Sequence, residues 1–179
     1  MTLAPGSRQD HLYQEAAEAF GGAIERLGHA YEADPDTRRD LLQDIHLALW
    51  RSFATYDGRC SLRTWVYRVA HNVSASHVTR WVRVRRLQLT SLEEAESLAD
   101  GTSPLDHALD RVLARNRLLH LIRRLDALDR QVIVSYLEDM DAAAIAEITG
   151  LSAGAVAMKV HRIKHLLARW FQQGEGHGR

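Results

Sequence analysis

Lys159 and Arg162 stand three residues apart, so on a helix they share a face and can reach phosphates or base edges together. They lie in a stretch from Gly150 to Trp170 that holds Lys159, Arg162, Lys164 and Arg169 but no acid. A second basic run extends from Arg59 to Leu92, with Arg59, Arg63, Arg68, Arg80, Arg83, Arg85 and Arg86 and again no Asp or Glu. Between the two the sign reverses: Glu93, Glu94, Glu96, Asp100, Asp106 and Asp110 fill a segment without Lys or Arg. The whole chain carries 23 basic and 23 acidic residues and no formal net charge, so the total conceals the pattern. Solvated helix faces with an acidic spacer would give part of it. Two cationic surfaces for a polyanion account for both runs together.

The remaining reactive side chains point to no catalysis. His161 and His165 are four apart, a metal-ligand spacing on a helix, but no third ligand accompanies them and no metal is expected. Cys60 is the only cysteine, so no internal disulfide can form, and it reads as a small loop residue. Asp126 and Asp129 read as caps of a helix from Ala127 rather than as a carboxylate pair. Gly150-Leu151-Ser152-Ala153-Gly154 has the letters of a Gly-x-Ser-x-Gly motif, but with no strand ahead of it nothing positions a nucleophile as an elbow would, and no phosphate-binding glycine loop occurs. The expectation is a protein without enzymatic activity or cofactor.

The elements that must position these residues are helices. Leu12, Ala16, Phe20, Ile24, Leu27 and Tyr31 recur every three or four positions, although Gly21-Gly22 weakens that helix. Asp34-Pro35 restarts the chain, with Asp34 as N-cap, and Leu41, Leu42, Ile45, Leu49 and Phe53 form the next stripe. After the Asp57-Gly58 turn, a long helix from about Ser61 turns Leu62, Trp65, Val66, Val69 and Val73 inward and its arginines to the other face. Leu105, Leu109, Val112, Asn116, Leu119 and Ile122 resume helical spacing, followed by short helices over 127–137 and 141–149 and a last one from Ser152 to about Trp170. No segment alternates as a strand does. With 179 residues, 46% hydrophobic and 26% charged, the chain predicts an all-α fold of two small helical domains, 10–87 and 105–172, joined by an acidic linker over 88–104. No apolar run approaches the roughly 18 residues of a membrane span, so membrane insertion is not expected and a cytoplasmic location is.

The second domain carries a helix-turn-helix pattern at Ala144-Ile145-Ala146-Glu147-Ile148-Thr149-Gly150-Leu151-Ser152-Ala153-Gly154-Ala155-Val156. Ala146 allows close helix crossing, Gly150 can take the positive φ of the turn, and Ile145, Leu151 and Val156 can pin the pair. Any helical hairpin shares those needs; the acid-free second helix, with its N-terminus free to face a phosphate, favours DNA binding.

Two separated stretches, in this order, resemble the conserved modules of extracytoplasmic-function (ECF) sigma factors of bacterial RNA polymerase. One is Asp40-Leu41-Leu42-Gln43-Asp44-Ile45-His46-Leu47-Ala48-Leu49-Trp50 followed by Ser61-Leu62-Arg63-Thr64-Trp65-Val66-Tyr67-Arg68-Val69-Ala70-His71-Asn72; the other is the helix-turn-helix with Lys159-Val160-His161-Arg162-Ile163-Lys164. The resemblance implies that Asp40, Gln43 and Asp44 dock on the clamp helices of the polymerase largest subunit. It implies that Arg68, Asn72 and Arg80 meet the minus-ten element and help melt it, and that Ser152, Lys159 and Arg162 meet the minus-thirty-five element. Core RNA polymerase and promoter DNA are then the partners, and an anti-sigma factor is admitted. The chain departs from the family at Thr37-Arg38-Arg39, where acids are common, at Ser76 in place of an aspartate, and at Ala155, Ala157 and Met158 in place of polar residues. The competing reading is a stand-alone helix-turn-helix regulator that dimerises through its N-terminal helices; it does not require the Asp40/Asp44 face ahead of an arginine-rich helix.

Overall fold

A computed structural model describes residues 5–88 and 107–175. The described residues form seven helices and no strand: α1 (Pro5–Tyr31), α2 (Pro35–Ser52), α3 (Leu62–Gln88), α4 (His107–Arg123), α5 (Ala127–Leu137), α6 (Ala142–Thr149) and α7 (Ala153–Glu175). The expected linker over 88–104 lies, apart from Gln88, outside the described residues.

Helices α1 to α3 pack on one another as a first module. Ala16, Ile24, Leu27 and Tyr31 of α1 are buried against Leu41, Ile45 and Leu49 of α2 and Val66 and Ala70 of α3. Gly21 and Gly22 do not interrupt α1, because burial of that stripe outweighs a propensity cost of about 1 kcal/mol each. Gly28 lets α1 and α2 approach closely: a Cβ there would lie 2.9 Å from Leu42 Cδ2, so that side chain would have to shift. Asp34 caps α2 by accepting the Thr37 N–H at 2.8 Å, which holds its carboxyl below the ordinary carboxylate range. Ser61 accepts the Thr64 N–H at 3.0 Å and so starts α3. The connecting loop is braced by Tyr56, whose hydroxyl donates to the Cys60 carbonyl at 2.8 Å and whose ring packs on Phe53 and Trp65. Trp65 is half-buried and donates to Ser52 Oγ at 2.9 Å, so it is a packing residue.

The second module closes around Ile122, Val132, Ile133, Ile145, Val156 and Ile163. Asp126 and Asp141 cap α5 and α6, accepting the N–H groups of Asp129 and Ala144 at 2.7 Å each. Gly150, at φ 75°, ends α6 with its N–H on the Ala146 carbonyl at 2.9 Å, the left-handed turn that the pattern requires. Ser152 then caps α7 through the Ala155 N–H at 3.2 Å. Two expectations change. Val112 is about half exposed rather than inward, because at this end of α4 no helix lies opposite it among the described residues. Helix α7 continues past Trp170 to Glu175, where Trp170 and Phe171 pack on the core and Arg124 and Arg117 lie over their rings at 4.7 and 4.2 Å.

The modules also touch each other: α3 runs against α5 and α6, and α1 against α4. Among the described residues no single helix is long and apolar enough to cross a membrane.

Candidate nucleic-acid interface

Helices α2 and α3 cross so as to leave an open groove of about 750 Å³ on the outer side of the first module. Asp44, Leu47 and Arg51, at helical spacings along α2, line one wall, and Asn72, Ser76 and Arg80, each four apart on α3, line the other. The floor is apolar, with Ala48 and Val73, while the other lining residues carry an amide, two hydroxyls, a carboxylate and two guanidinium groups. Such a groove offers a flat apolar contact for a base, donors and acceptors for its edge, and cations for the adjoining phosphates. The structure therefore brings Asp44, Asn72 and Arg80 together. Asn72 is exposed. Arg80 and Asp44 pair across the groove at 3.3 Å, both at least half exposed, so the bond is weak and exchangeable. Asp40, one turn before Asp44, and Gln43, next to it, are exposed on α2, while Leu41 and Ile45 are buried.

Arg68 is separated from this group. Its guanidinium donates to the Glu147 carbonyl of α6 at 2.9 Å, so it sits at the contact between modules rather than in the groove. Arg51 was not foreseen as a groove residue, although its position seven after Asp44 places it on the same helix face.

In the second module, Ser152 is exposed at the start of α7. Lys159 and Arg162 are both drawn to Asp129 of α5: the Lys159 ammonium bonds its Oδ1, and the Arg162 guanidinium lies 3.3 Å from its Oδ2. Asp129 is buried and its carboxylate anchors these two cations; the capping read for it from the sequence belongs to Asp126 alone, which accepts the Asp129 N–H. Nothing local signals the anchoring, since thirty residues separate the partners. Arg162 remains 66% exposed and Lys159 21%, so Arg162 is the cation that can swing out. The outermost surface of α7 holds Ala157, Met158, His161 and His165, with the two imidazole Nε2 atoms 3.1 Å apart. Among the described residues no three His, Cys, Asp or Glu side chains converge on a common point.

Comparison with known proteins places both halves. Residues 16–84 match Sigma-70 region 2, and residues 115–167 match Sigma-70, region 4. The ECF RNA polymerase sigma factor SigK of Mycobacterium sp. (strain KMS) is 30% identical over 154 residues, covering 83% of this chain and 74% of that protein. The chain belongs to the ECF sigma factors of RNA polymerase. RNA polymerase sigma factor YlaC of Bacillus subtilis (strain 168) is 27% identical over 157 residues, with 87% of each chain covered. In fold, the chain is similar to the sigma factor RpoE of Bartonella quintana in its co-crystal structure with the anti-sigma factor NepR, at TM-score 0.68 and 16% identity over 89% of this chain and 96% of that one. As a sigma factor the protein directs promoter-specific transcription initiation, with core RNA polymerase and promoter DNA as its partners. Sigma factors are initiation factors without a catalytic role of their own. The region 2 match over the groove-bearing module leaves less support for a stand-alone helix-turn-helix regulator, which needs only the second module.

Proposed function

We propose that the α2–α3 groove is where this sigma factor captures an unstacked base of the minus-ten element. The observation that carries the reading is that Asn72 and Arg80 share one groove with an apolar floor. Asn72 offers an amide to a base edge, and Arg80, with Arg51 beside it, neutralises the backbone. Asp40, Gln43 and Asp44 form the docking face for the clamp helices of the polymerase largest subunit, supported by their exposure along α2. Arg68 holds a minus-ten phosphate once released from Glu147. Ser152, Lys159 and Arg162 serve the minus-thirty-five element from the N-terminal half of α7, where shape and backbone contacts carry much of the recognition because Ala157 and Met158 bear no hydrogen-bonding group. The two modules, 10–87 and 105–172, act as separate DNA readers joined by the acidic linker over 88–104. The protein is cytoplasmic and not an enzyme, and an anti-sigma factor is a partner class consistent with the likeness to RpoE.

Substitution at Asn72 tests the base-capture role. With purified core enzyme, Asn72→Ala leaves closed-complex formation on a duplex promoter near the parent level in a gel shift. Permanganate reactivity of the minus-ten thymines drops on the same template, and a pre-melted promoter does not fully restore initiation. Parent-level melting by the variant would refute the role given to the groove.

A further inference from the structure

His161 and His165 of α7 take no part in the packing. Other histidines do: His46 meets Tyr13, His71 bridges Tyr31 and Ser135, and His77 faces Glu32. The α7 pair is exposed, and among the described residues its two rings bond only to each other. Their Nε2 atoms lie 3.1 Å apart, their centroids 4.4 Å apart, and their planes meet at 65°. A spacing of four sets the two side chains one above the other on the helix. Val160, Ile163 and Leu167, buried on the far side of α7, hold the turns that carry them against the core, so the pair stands on a rigid element.

Two neutral imidazoles can use that separation in two ways. One ring donates its Nε2–H to the other, or both keep their proton on Nδ1 and turn two Nε2 lone pairs on one cation. Metal–imidazole bonds run about 2.0–2.1 Å, so a bite of 3.1 Å subtends roughly 95–102° at the metal. That range falls between the right angle of octahedral or square-planar coordination and the tetrahedral angle of about 109°. The nitrogens are thus already at chelating distance, and a turn of each exposed ring about χ2 aims both lone pairs at one point. The change of tautomer leaves one proton on each ring and releases none. The flanking cations are drawn toward α5: Arg162 is paired with Asp129, and the Lys164 ammonium lies 5.4 Å from the Tyr136 ring centroid.

The geometry points to His161 and His165 as a two-imidazole chelate for a divalent transition cation of the zinc, nickel or copper class, whose remaining coordination positions face outward from α7. The chelate stands on the ring geometry alone; its role at DNA rests on the reading of α7 as the minus-thirty-five helix. There the cation adds two positive charges beside Arg162 and offers coordination positions to a phosphate oxygen or to a purine N7, which is open in the major groove. Metal binding and duplex binding then strengthen each other by the same factor.

Zinc is the probe, because it does no redox chemistry with the free Cys60 thiol. Calorimetric titration of the full chain with zinc chloride compares the parent, His161→Ala, His165→Ala and the double variant. The parent binds one zinc at least about tenfold more tightly than either single variant, since the second imidazole binds intramolecularly. Nitrogen spectra of the imidazoles show both rings as Nδ1–H tautomers in the zinc-loaded parent. Both positions are exposed, so the variants keep the parent's helical circular dichroism. Identical zinc titrations for the parent and the double variant overturn the chelate. Affinity for a duplex promoter fragment, read by fluorescence anisotropy, rises about fivefold with zinc in the parent, in the range of ordinary coupling between sites. It does not rise in the double variant, and an equal gain in both overturns the role at DNA. Lys159→Ala/Arg162→Ala is measured without zinc alongside. Duplex affinity at the parent level in that variant would count against the minus-thirty-five reading of α7 and leaves the zinc titration intact.

Discussion

Acidification acts on this fold through His71, and the size of the effect follows from its surroundings. The imidazole is fully buried between the modules, with Nδ1 2.9 Å from the Tyr31 hydroxyl of α1 and Nε2 3.0 Å from Ser135 Oγ of α5. The Tyr67 ring lies against it on its own helix, and Arg130 of α5 sits 5.2 Å from the Tyr31 ring centroid. None of these groups is a carboxylate, and burial pushes the imidazole from its ordinary 6.5 down to about 3. The folded chain therefore keeps His71 neutral through a range in which the unfolded chain protonates it. Stability from this site is fully present above pH 6.5 and is lost as pH falls from there toward 3. Between pH 8 and pH 5 the loss is about 2 kcal/mol, from RT ln(1 + 10^1.5) with an unfolded value near 6.5. His29, lowered by burial and by Arg38, Arg115 and Arg123, adds a smaller loss of the same sign. Asp34, held low by the Thr37 N–H, loses its stabilisation only below this window.

Urea unfolding at pH 8, 7, 6 and 5 reads the effect. With a slope of about 2 kcal/mol per molar urea, the parent midpoint falls by about 1 M across that range. His71→Gln starts less stable at pH 8, because a ring is lost from a buried site. Its curve is nonetheless flatter by roughly the 2 kcal/mol assigned to His71. The difference between the two pH profiles removes the contribution of His29 and of the carboxylates. Parallel profiles for parent and variant would refute the assignment of the pH dependence to His71.

Two further expectations concern the partner surfaces. Replacing Asp40 and Asp44 together with lysine weakens binding to core polymerase in a pull-down titration while helical circular dichroism stays at the parent level; the loss of the exposed Asp44–Arg80 pair itself costs under about 1 kcal/mol of stability. Asp129→Asn frees Lys159 and Arg162, raising duplex affinity at low salt, and Lys159→Ala lowers the salt slope of duplex binding by roughly one unit. An unchanged slope in a salt titration of Lys159→Ala would make Lys159 a strut on Asp129 and not a phosphate contact.

Much of this architecture is written locally. The caps at Asp34, Asp126 and Asp141, the left-handed Gly150 and the apolar stripes of α1, α2 and α3 each depend on residues within a few positions of one another. The groove was partly legible for the same reason: Asn72 and Arg80 are eight apart on one helix, and Asp44 and Arg51 seven apart on another, so each pair shares a face before any packing is known. The half-exposed Val112 marks where this reasoning stops, because a periodic stripe says which residues can be buried together and not whether a partner lies opposite.

From sequence alone came the helices, the two modules, and the residue types on each candidate face. Tertiary structure alone decided which charges meet. Arg68 turns to Glu147, Lys159 and Arg162 turn to Asp129, and Arg26, Arg63 and Tyr67 gather on Glu138. A long cationic side chain can satisfy any acceptor within its reach, and the acceptors here lie 30 to 112 positions away in the chain. Periodicity carries no information at that range; only the relative placement of packed helices brings a given donor to a given acceptor.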